Sequence, residues 1–398
     1  MASYLDAGSI VALGAGLALF QKRLGLTGAE IGILAAIGPN AIGCAIGAFI
    51  GGRLGDKLGR KRIYQYDLIV YAVGILCIAL ATHRAMLFAG TFVVGLAVGA
   101  DVPTSLALVG EFAPAKARGR LLGFTQVAWS LGPVVVLWLA FALAPLGLLG
   151  IRIVFLQLFV VALVTWALRR RLKESARWQH AAAAAPSARP GLRLLFTGRH
   201  LAALAYTATF YLFWNLAAGT IGIFSPYIIS TLHAGGQAAS VGLTSVSFLL
   251  VMIVTVVAFM PNADRSYATR RRMWLFGSLM QIVAFALFLV LPFTIPVVVA
   301  NVVLFGVGQS FAGEAFYKVF SQELFPTLLR GSAQGFTFGV ARTILGFWSL
   351  VVPILTKAGI GTVAALLTLF LAISGFVGYA FMPDTSGKNL EQIERERA

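Results

Sequence analysis

Apolar runs of about twenty residues follow one another along the chain, and short stretches of charged residues, Gly and Pro separate them. A helix needs about 20 apolar residues to cross the hydrocarbon core of a membrane, so each run predicts one membrane span. The pattern predicts twelve spans, near residues 4–20, 30–54, 63–82, 86–110, 121–143, 148–168, 200–230, 236–260, 273–291, 296–322, 333–356 and 359–382. We therefore predict an all-α, polytopic membrane protein with short connections, whose function lies among its helices.

The composition excludes an ordinary soluble globule. Of the 398 residues, 59% are apolar and 11% are charged, whereas soluble domains carry about 25% charged residues. The net charge of +17 would indicate a nucleic-acid partner in a soluble protein. If both termini are cytoplasmic, however, the inner connections and the C-terminal tail together hold 24 Lys and Arg residues and the outer connections hold 5. The positive-inside rule then predicts a multi-pass protein of the cytoplasmic membrane with both termini inside, and no nucleic-acid partner.

Side chains that could hold a metal or carry out catalysis are scattered. Cys44 and Cys77 lie inside apolar runs, and the four His residues show no paired spacing. The sequence contains no metal-ligand motif, no nucleophile–base spacing and no phosphate-binding loop. We therefore predict no cofactor, no metal site and no enzymatic activity.

A long connection, residues 169–199, divides six predicted spans from six, and its Ala- and Pro-rich stretch at 181–190 predicts weak structure. Residues 111–119 read E-F-A-P-A-K-A-R-G and residues 323–331 read E-L-F-P-T-L-L-R-G, an offset of 212 positions. Such internal similarity predicts two parallel six-span repeats. The expected domains are an N-terminal bundle, a cytoplasmic linker, a C-terminal bundle and a cytoplasmic tail at 1–168, 169–199, 200–382 and 383–398.

The connection between the second and third predicted spans carries the most specific motif. Residues 52–62 read G-R-L-G-D-K-L-G-R-K-R. The glycines allow a tight turn between close-packed helices, and Asp56 can accept hydrogen bonds from helix N-terminal amides. This is the G-x-x-x-D-[RK]-x-G-[RK]-[RK] signature of the major facilitator superfamily, which the chain resembles over its full length. The resemblance implies a transporter built from two pseudo-symmetric six-helix bundles.

Further features resemble the sugar-porter branch of that superfamily and its relatives among organic-solute symporters. They are D-A-G at 6–8, the two repeated loops, E-S-A-R-W at 174–178, Gln126 in the fifth span and P-D-T-S-G at 383–387. In that family the acidic and basic residues of such loops form cytoplasmic ion pairs that close an inner gate. The resemblance assigns this gate role to Asp56, Arg60, Glu111, Arg118, Asp264, Glu323 and Arg330.

The chain departs from the sugar-porter pattern at three positions of the expected pocket. Thr91 stands where sugar porters usually carry Arg in the fourth span, Lys318 replaces a Trp in the tenth, and residues 214–215 (Trp-Asn) fall near a Gln pair in the seventh. The point charge of Lys318 favours a solute with an anionic or strongly hydrogen-bonding group. A plain hexose is therefore not the expected substrate.

Charged residues within the spans are few, and each costs about 2.5–3.5 kcal/mol at a helix centre on insertion scales, so they favour positions that face a cavity. Asp101 lies deep in the fourth span and Arg342 deep in the eleventh. Glu314 and Lys318, at i and i+4 in the tenth span, can pair on one helix face. For all four, a structural role and a place on the substrate path are alternatives.

Two acids compete as the site of a coupling proton. Asp6 matches the acid that the family carries in its first span, and Asp101 is the other candidate. Counted at about 1.5 Å per residue, Asp6 falls in the inner third of a roughly 30 Å core. In the alternative case of a uniporter, both acids only hold helices together.

Aromatic and amide side chains at mid-span could stack on a polar solute and form hydrogen bonds with it. A Trp in a helix bundle more often packs than binds, so the prediction depends on the convergence of these residues with the charged ones. The predicted substrate-binding set is Gln126, Trp129, Tyr211, Trp214, Asn215, Gln309, Glu314, Lys318 and Arg342.

The sequence thus predicts a secondary active transporter that moves a small polar organic solute, such as a sugar, polyol or organic acid, by alternating access. We expect coupling to a proton, a monomer, and the solute and the lipid bilayer as partners. A facilitative uniporter, and a transporter-fold sensor that binds solute without moving it, are the alternatives.

Overall fold

The computed structural model describes residues 2–184, 191–231, 237–357 and 360–397, and within these ranges every regular element is a helix. The α-helices are α1 Ala2–Leu24, α2 Gly28–Ile37, α3 Ile42–Leu58, α4 Arg60–Ala79, α5 Arg84–Phe112, α6 Arg118–Ala142, α7 Leu148–Arg169, α8 Ala176–Ala184, α9 Gly198–Thr231, α10 Gln237–Val254, α11 Met260–Asn262, α12 Tyr267–Val290, α13 Ile295–Phe311, α14 Glu314–Glu323, α15 Arg330–Lys357, α16 Ile360–Ala380 and α17 Leu390–Arg397. A π-helical segment, Thr255–Phe259, joins α10 to α11. Short 3₁₀ turns lie at Ala115–Ala117, Ala144–Leu146, Leu192–Phe196 and Thr327–Leu329.

Twelve stretches in the described part of the chain are long and apolar enough to cross a membrane. The predictions of twelve spans and of an all-α fold are therefore confirmed. In chain order the spans are formed by α1, α2 with α3, α4, α5, α6, α7, α9, α10 with α11, α12, α13 with α14, α15 and α16. We number them spans 1 to 12, and call spans 1–6 the N-half and spans 7–12 the C-half.

Two spans are interrupted, which their continuous apolar pattern does not reveal. Span 2 breaks between α2 and α3, and span 10 breaks between α13 and α14. Gly313, at the second break, has φ +129°, a conformation that favours glycine. A Cβ there would collide with the Trp214 ring. Broken helices leave main-chain groups inside the bundle, which is tolerated only where protein or a cavity surrounds them.

Small residues bring the two halves into close contact. Gly52 of α3 lies against Gly331 of α15, and Gly335 lies against the carbonyl oxygen of Ala48. A Cβ at Gly52 or Gly335 would collide with the main chain of the other helix. Close approach through Gly and Ala is typical of helix packing in membranes. This contact positions the charged residues at the adjacent helix ends, which are described below.

The linker and the tail also contain helices. Helix α8 makes residues 181–184 of the Ala- and Pro-rich stretch helical, and residues 185–190 lie outside the described part. Arg177 of α8 pairs with Glu391 of α17 at 2.9 Å, so the linker contacts the tail.

The predicted domain boundaries stay predictions. Arg169, which they count as the first linker residue, is the last residue of α7 and is buried. Its side chain therefore belongs with the N-half, and its partners are described with the site.

Candidate functional site

Two aspartates, the buried Asp56 and the half-buried Asp264, each cap a helix of the opposite half. The amides of Gly331 and Ser332, in the first turn of α15, donate to Asp56 Oδ1 and Oδ2 at 3.1 and 2.6 Å. In the same way the amides of residues 119 and 120, in the first turn of α6, donate to Asp264 Oδ1 and Oδ2 at 2.7 and 2.8 Å. A carboxylate at a helix N-terminus satisfies free amides and favours the helix dipole. Each cap therefore ties the two halves together.

A buried ion cluster surrounds Glu111 of the N-half. Arg60 Nε and Nη2 donate to Glu111 Oε1 at 3.2 and 3.1 Å, and Arg330 Nη1 of the C-half donates to the same oxygen at 3.1 Å. Arg60 also pairs with Asp56 at 2.9 Å and donates to the carbonyl oxygen of Thr327. This N-half cluster thus includes one cation and one carbonyl group from the C-half.

A second cluster surrounds Glu323 of the C-half. Arg118 of the N-half lies 3.2 Å from Glu323 Oε1, and Arg270 Nη1 lies 3.0 Å from Oε2. Thr385 donates its hydroxyl to the same Oε2 at 2.6 Å. Arg270 also approaches Asp264 at 3.7 Å. The C-half cluster therefore resembles the N-half cluster: a glutamate pairs with one arginine of its own half and with one arginine of the other half.

We call the two aspartate caps and the two ion clusters the gate. The structure brings all seven predicted gate residues into these contacts, although their role as a gate stays a prediction. Sequence reasoning missed Arg270 and Thr385. The repeat could have indicated Arg270, because it follows Asp264 by six positions as Arg60 follows Asp56 by four, but the unequal spacing hides the match.

Asp6 lies buried in α1 beside span 5. Trp129 Nε1 donates to Asp6 Oδ2 at 3.1 Å, while Asp6 Oδ1 has no hydrogen-bond partner among the described residues. The Trp129 ring also packs on Phe248 of α10, with centroids 5.8 Å apart. Trp129 therefore contacts both the acid and the C-half.

A second polar contact joins the halves through Lys318. Its Nζ donates to Gln126 Oε1 of α6 at 2.7 Å and lies 3.4 Å from Glu314 Oε1 on its own helix. All three side chains are buried. The i, i+4 pair expected from the sequence is thus formed, and an amide from the N-half extends it.

An aromatic stack fills the neighbouring part of the C-half. Tyr211 stacks on Tyr317, with ring centroids 3.7 Å apart and an angle of 15° between the ring planes. Tyr211 also stacks on Phe338, with ring centroids 5.8 Å apart. The guanidinium group of Arg342 lies 4.8 Å from the Phe338 centroid, within the range of a cation–π contact. Arg342 Nη1 also donates to Asn40 Oδ1 of the N-half at 2.5 Å.

The remaining predicted binding residues are placed less uniformly. Trp214 donates to Gln281 Oε1 at 3.0 Å and packs against the main chain at Gly313. Asn215 is buried, and its Nδ2 lacks a hydrogen-bond partner in the described ranges. Gln309 is half-buried on α13, and no contact links it to the others. Sequence reasoning missed Asn40, Gln281, Tyr317 and Phe338. We call the linked set the central cluster: Asp6, Asn40, Gln126, Trp129, Tyr211, Glu314, Tyr317, Lys318, Phe338 and Arg342.

Asp101 is held in a different arrangement from the one its sequence position suggested. Its Oδ1 lies 2.9 Å from Arg169 Nη1, and Asp67 Oδ1 lies 3.2 Å from the same nitrogen. Sequence reasoning missed Asp67 and counted Arg169 only as a linker charge. Within the described ranges, no group of three or more His, Cys, Asp or Glu side chains could hold a metal ion.

Comparison with known proteins gives consistent matches over the whole chain. A family model described as Major Facilitator Superfamily matches residues 1–353. The Minor myo-inositol transporter IolF of Bacillus subtilis is 40% identical over 407 residues, covering 100% of this chain and 92% of that protein. The Glucose transporter GlcP of Staphylococcus epidermidis is 25% identical over 85% of this chain and 82% of its own length.

A solved structure supports the same fold. The proton:xylose symporter XylE bound to 6-bromo-6-deoxy-D-glucose superimposes with a TM-score of 0.86, over 100% of this chain and 97% of that chain, at 19% sequence identity. The likeness confirms the arrangement of two six-helix bundles.

Proposed function

The chain belongs to the major facilitator superfamily, and on that premise we propose that it is a proton-coupled symporter of a neutral polyhydroxy solute, working by alternating access. It is a multi-pass membrane transporter and not an enzyme. The proposal concerns the class of solute, the proton and the mechanism. The observation that supports it most is the central cluster, in which a buried acid and a buried charge pair lie where the two halves meet.

The solute class is supported by the relatives and by the charge balance of the cluster. The two relatives are named as transporters of myo-inositol and of glucose. Lys318 alone favours an anionic or strongly hydrogen-bonding solute, but Glu314 at 3.4 Å balances its charge. A balanced pair beside Gln126 offers hydrogen bonds without a net charge, and stacked aromatic rings suit the apolar face of a ring-shaped polyol.

Alternating access is supported by the gate. Its clusters and caps join the N-half to the C-half at one end of the molecule, so that end can open only if these contacts break. Charged side chains that lose buried partners need water, which an open gate would supply. The charge asymmetry of the connections predicts that this end is cytoplasmic.

The proposal is tested by measuring uptake of labelled myo-inositol into proteoliposomes under an imposed gradient of about one pH unit. If one proton moves with each solute molecule, accumulation should approach about tenfold, since a tenfold concentration ratio equals about 1.4 kcal/mol. Asp6→Asn should equilibrate the solute without concentrating it, because the acid that carries the proton is gone. Solute exchange in the absence of a pH gradient should survive.

Glu30→Gln is the matched control, because Glu30 is a partly exposed acid that lies away from the central cluster and pairs with Arg84 at 2.9 Å. It should accumulate solute as the wild type does. Equilibration without accumulation by the wild type would identify a uniporter, and binding without uptake would identify a sensor. Stronger competition by glucuronate than by neutral sugars would contradict the neutral solute class.

A further inference from the structure

A cluster of charged residues beside span 1 has no part in the gate or in the central cluster. Arg169 Nη1 lies 2.9 Å from Asp101 and 3.2 Å from Asp67, and it also donates to the carbonyl oxygen of Tyr64 at 2.7 Å. The guanidinium carbon lies 3.4 Å from the centroid of the Tyr64 ring. Spans 3, 4 and 6 thus meet at one cation. We call Asp67, Asp101 and Arg169 the Arg169 cluster.

The charges of this cluster do not balance. Two carboxylates face one guanidinium group, and all three residues are buried. Burying an unpaired charge is strongly unfavourable. Asp67 Oδ2 accepts no hydrogen bond from any residue that the structure describes. A proton on this oxygen would both neutralise the excess charge and provide a donor.

A small cavity connects this cluster to Asp6. Asp6, Asp67, Tyr71 and Asp101 line it together with apolar side chains, and its volume is about 10 Å³, close to the space that one water molecule needs. Two buried carboxyl oxygens have no hydrogen-bond partner in the described ranges, namely Asp6 Oδ1 and Asp67 Oδ2. Both belong to residues that line this water-sized cavity. The Tyr71 hydroxyl donates to the carbonyl oxygen of Leu5 at 2.9 Å, which leaves its oxygen able to accept.

We propose that Asp67 is a second proton-binding residue, which exchanges a proton with Asp6 through one water in this cavity. The inference rests on the proposed proton coupling at Asp6. The O–H bond on Asp6 breaks as its proton passes to the water, and the water gives another proton to Asp67, where a new O–H bond forms. The water is regenerated, Asp6 becomes a carboxylate and Asp67 becomes neutral.

The surroundings of the two acids should respond differently when the halves move. Asp67 faces Asp101, Arg169 and Tyr64, so the neighbouring carboxylate favours its protonation and the arginine opposes it. Asp6 faces Trp129, and the charges of Arg342, Glu314 and Lys318 also act on it. These C-half groups change position relative to Asp6 when the halves move. The Arg169 cluster lies within the N-half and keeps its own partners.

The test compares Asp67→Asn with the wild type in the proteoliposome assay, again with a gradient of about one pH unit. The wild type should concentrate the solute about tenfold, and Asp67→Asn should bring it only to equilibrium while keeping solute exchange. Asp67→Glu, which retains a carboxyl group, should restore part of the accumulation. The exposed Asp384→Asn is the matched control and should accumulate normally. Infrared difference spectra on solute binding should contain a carboxylic-acid band that Asp67→Asn lacks.

Each result decides between the two proposals. Absence of accumulation in the wild type overturns proton symport, and the second proton site with it. The second outcome is that the wild type accumulates solute, Asp6→Asn does not, and Asp67→Asn still does with its infrared band unchanged. That result overturns the second proton site alone. If Asp67→Asn also loses exchange, the variant Asp67→Asn/Asp101→Asn/Arg169→Gln, which removes both carboxylates together with the guanidinium group, replaces it. Loss of exchange in both variants would identify a purely structural ion pair and overturn the inference.

Discussion

The gate and the central cluster use the two halves of the molecule in opposite ways. In the gate each half provides the same parts: an aspartate that caps a helix of the other half, a glutamate, and two arginines, of which one pairs with its own glutamate and one with the glutamate of the other half. In the central region the halves differ. The N-half provides Asp6 and the nearby Arg169 cluster, whereas the C-half provides the Glu314–Lys318 pair and the aromatic stack.

The difference indicates which tasks a duplicated sequence can perform. Holding two bundles together needs the same contact on both sides of the symmetry axis, so two copies of one motif are sufficient. Coupling the movement of a proton to that of a solute needs binding sites for two unlike ligands close together. Under the proposed function, one half has specialised in proton chemistry and the other in solute recognition, and the repeat is accordingly visible in the loops but not in the central cluster.

Neutralising both gate glutamates should have the largest effect. Glu111→Gln/Glu323→Gln leaves buried arginines unpaired, and breaking a buried ion pair costs about 3–5 kcal/mol. Opening lets water reach these arginines, so the population open at the gate should rise more than about tenfold. Spin labels at the exposed residues Lys116 and Arg265 would measure the distance across the gate.

Glu30→Gln, which removes a partly exposed acid at a distance from the gate, provides the control and should leave the distance distribution unchanged. The two single variants should each give an intermediate distribution. An unchanged distribution in the double variant would show that these glutamates do not hold the gate closed.

The Glu314–Lys318 pair tests the asymmetry of the central region with a smaller expected effect. Lys318→Met should weaken solute binding by about 1–3 kcal/mol, because it leaves Glu314 buried without its cation. Glu314→Gln/Lys318→Met should bind better than Lys318→Met, since it removes both charges, and the difference measures their coupling. Isothermal titration with the transported solute would give the affinities.

The conservative variant Lys318→Arg is the control, because it keeps the charge beside Glu314 and Gln126. If Lys318→Met changes the affinity by less than about twofold, or about 0.4 kcal/mol, then Lys318 takes no part in solute recognition and the pair is structural.

The two aspartate caps should show the smallest effect, and they test whether the gate halves are equivalent. Replacing a capping residue by Ala costs about 0.5–2 kcal/mol, and Asn should cost less because it keeps one of the two acceptor oxygens. Asp56→Asn should favour gate opening more than Asp264→Asn, since Asp56 also pairs with Arg60 at 2.9 Å while Asp264 lies 3.7 Å from Arg270. The same spin-label distance would compare the variants.

The control for this pair is Asp384→Asn, an exposed aspartate of the tail. A larger effect of Asp264→Asn than of Asp56→Asn would contradict the ranking. Equal effects would show that the Asp56–Arg60 contact adds nothing to the cap.

The spans and the gate could be predicted from sequence because their signals are local. Apolar length indicates a span, and the repeated loops identify residues such as Glu111 and Glu323. The breaks in spans 2 and 10 could not be predicted, since an apolar run continues through them. Gly313 breaks its span by backbone conformation and by contact with Trp214, which depends on tertiary packing.

The Arg169 cluster was missed for a different physical reason. At the end of a span, an arginine normally extends toward the lipid headgroups, so Arg169 was counted with the positive charges of the linker. Its long side chain instead reaches Asp67 and Asp101 on two other helices. Only the folded bundle brings these three positions together, because they are far apart in the chain.

The contact between Gly52, Gly331 and Gly335 has a mechanical consequence. Side chains that interlock at a helix crossing resist rotation, because each must leave its groove before the helices can turn. At these three glycines main chain lies directly on main chain. Under the proposed alternating access, such a surface would let one helix roll over the other while the surrounding charges hold the closed position. The close main-chain contact would determine how easily the two helices rotate against each other, and the ion pairs would determine which conformation is most populated.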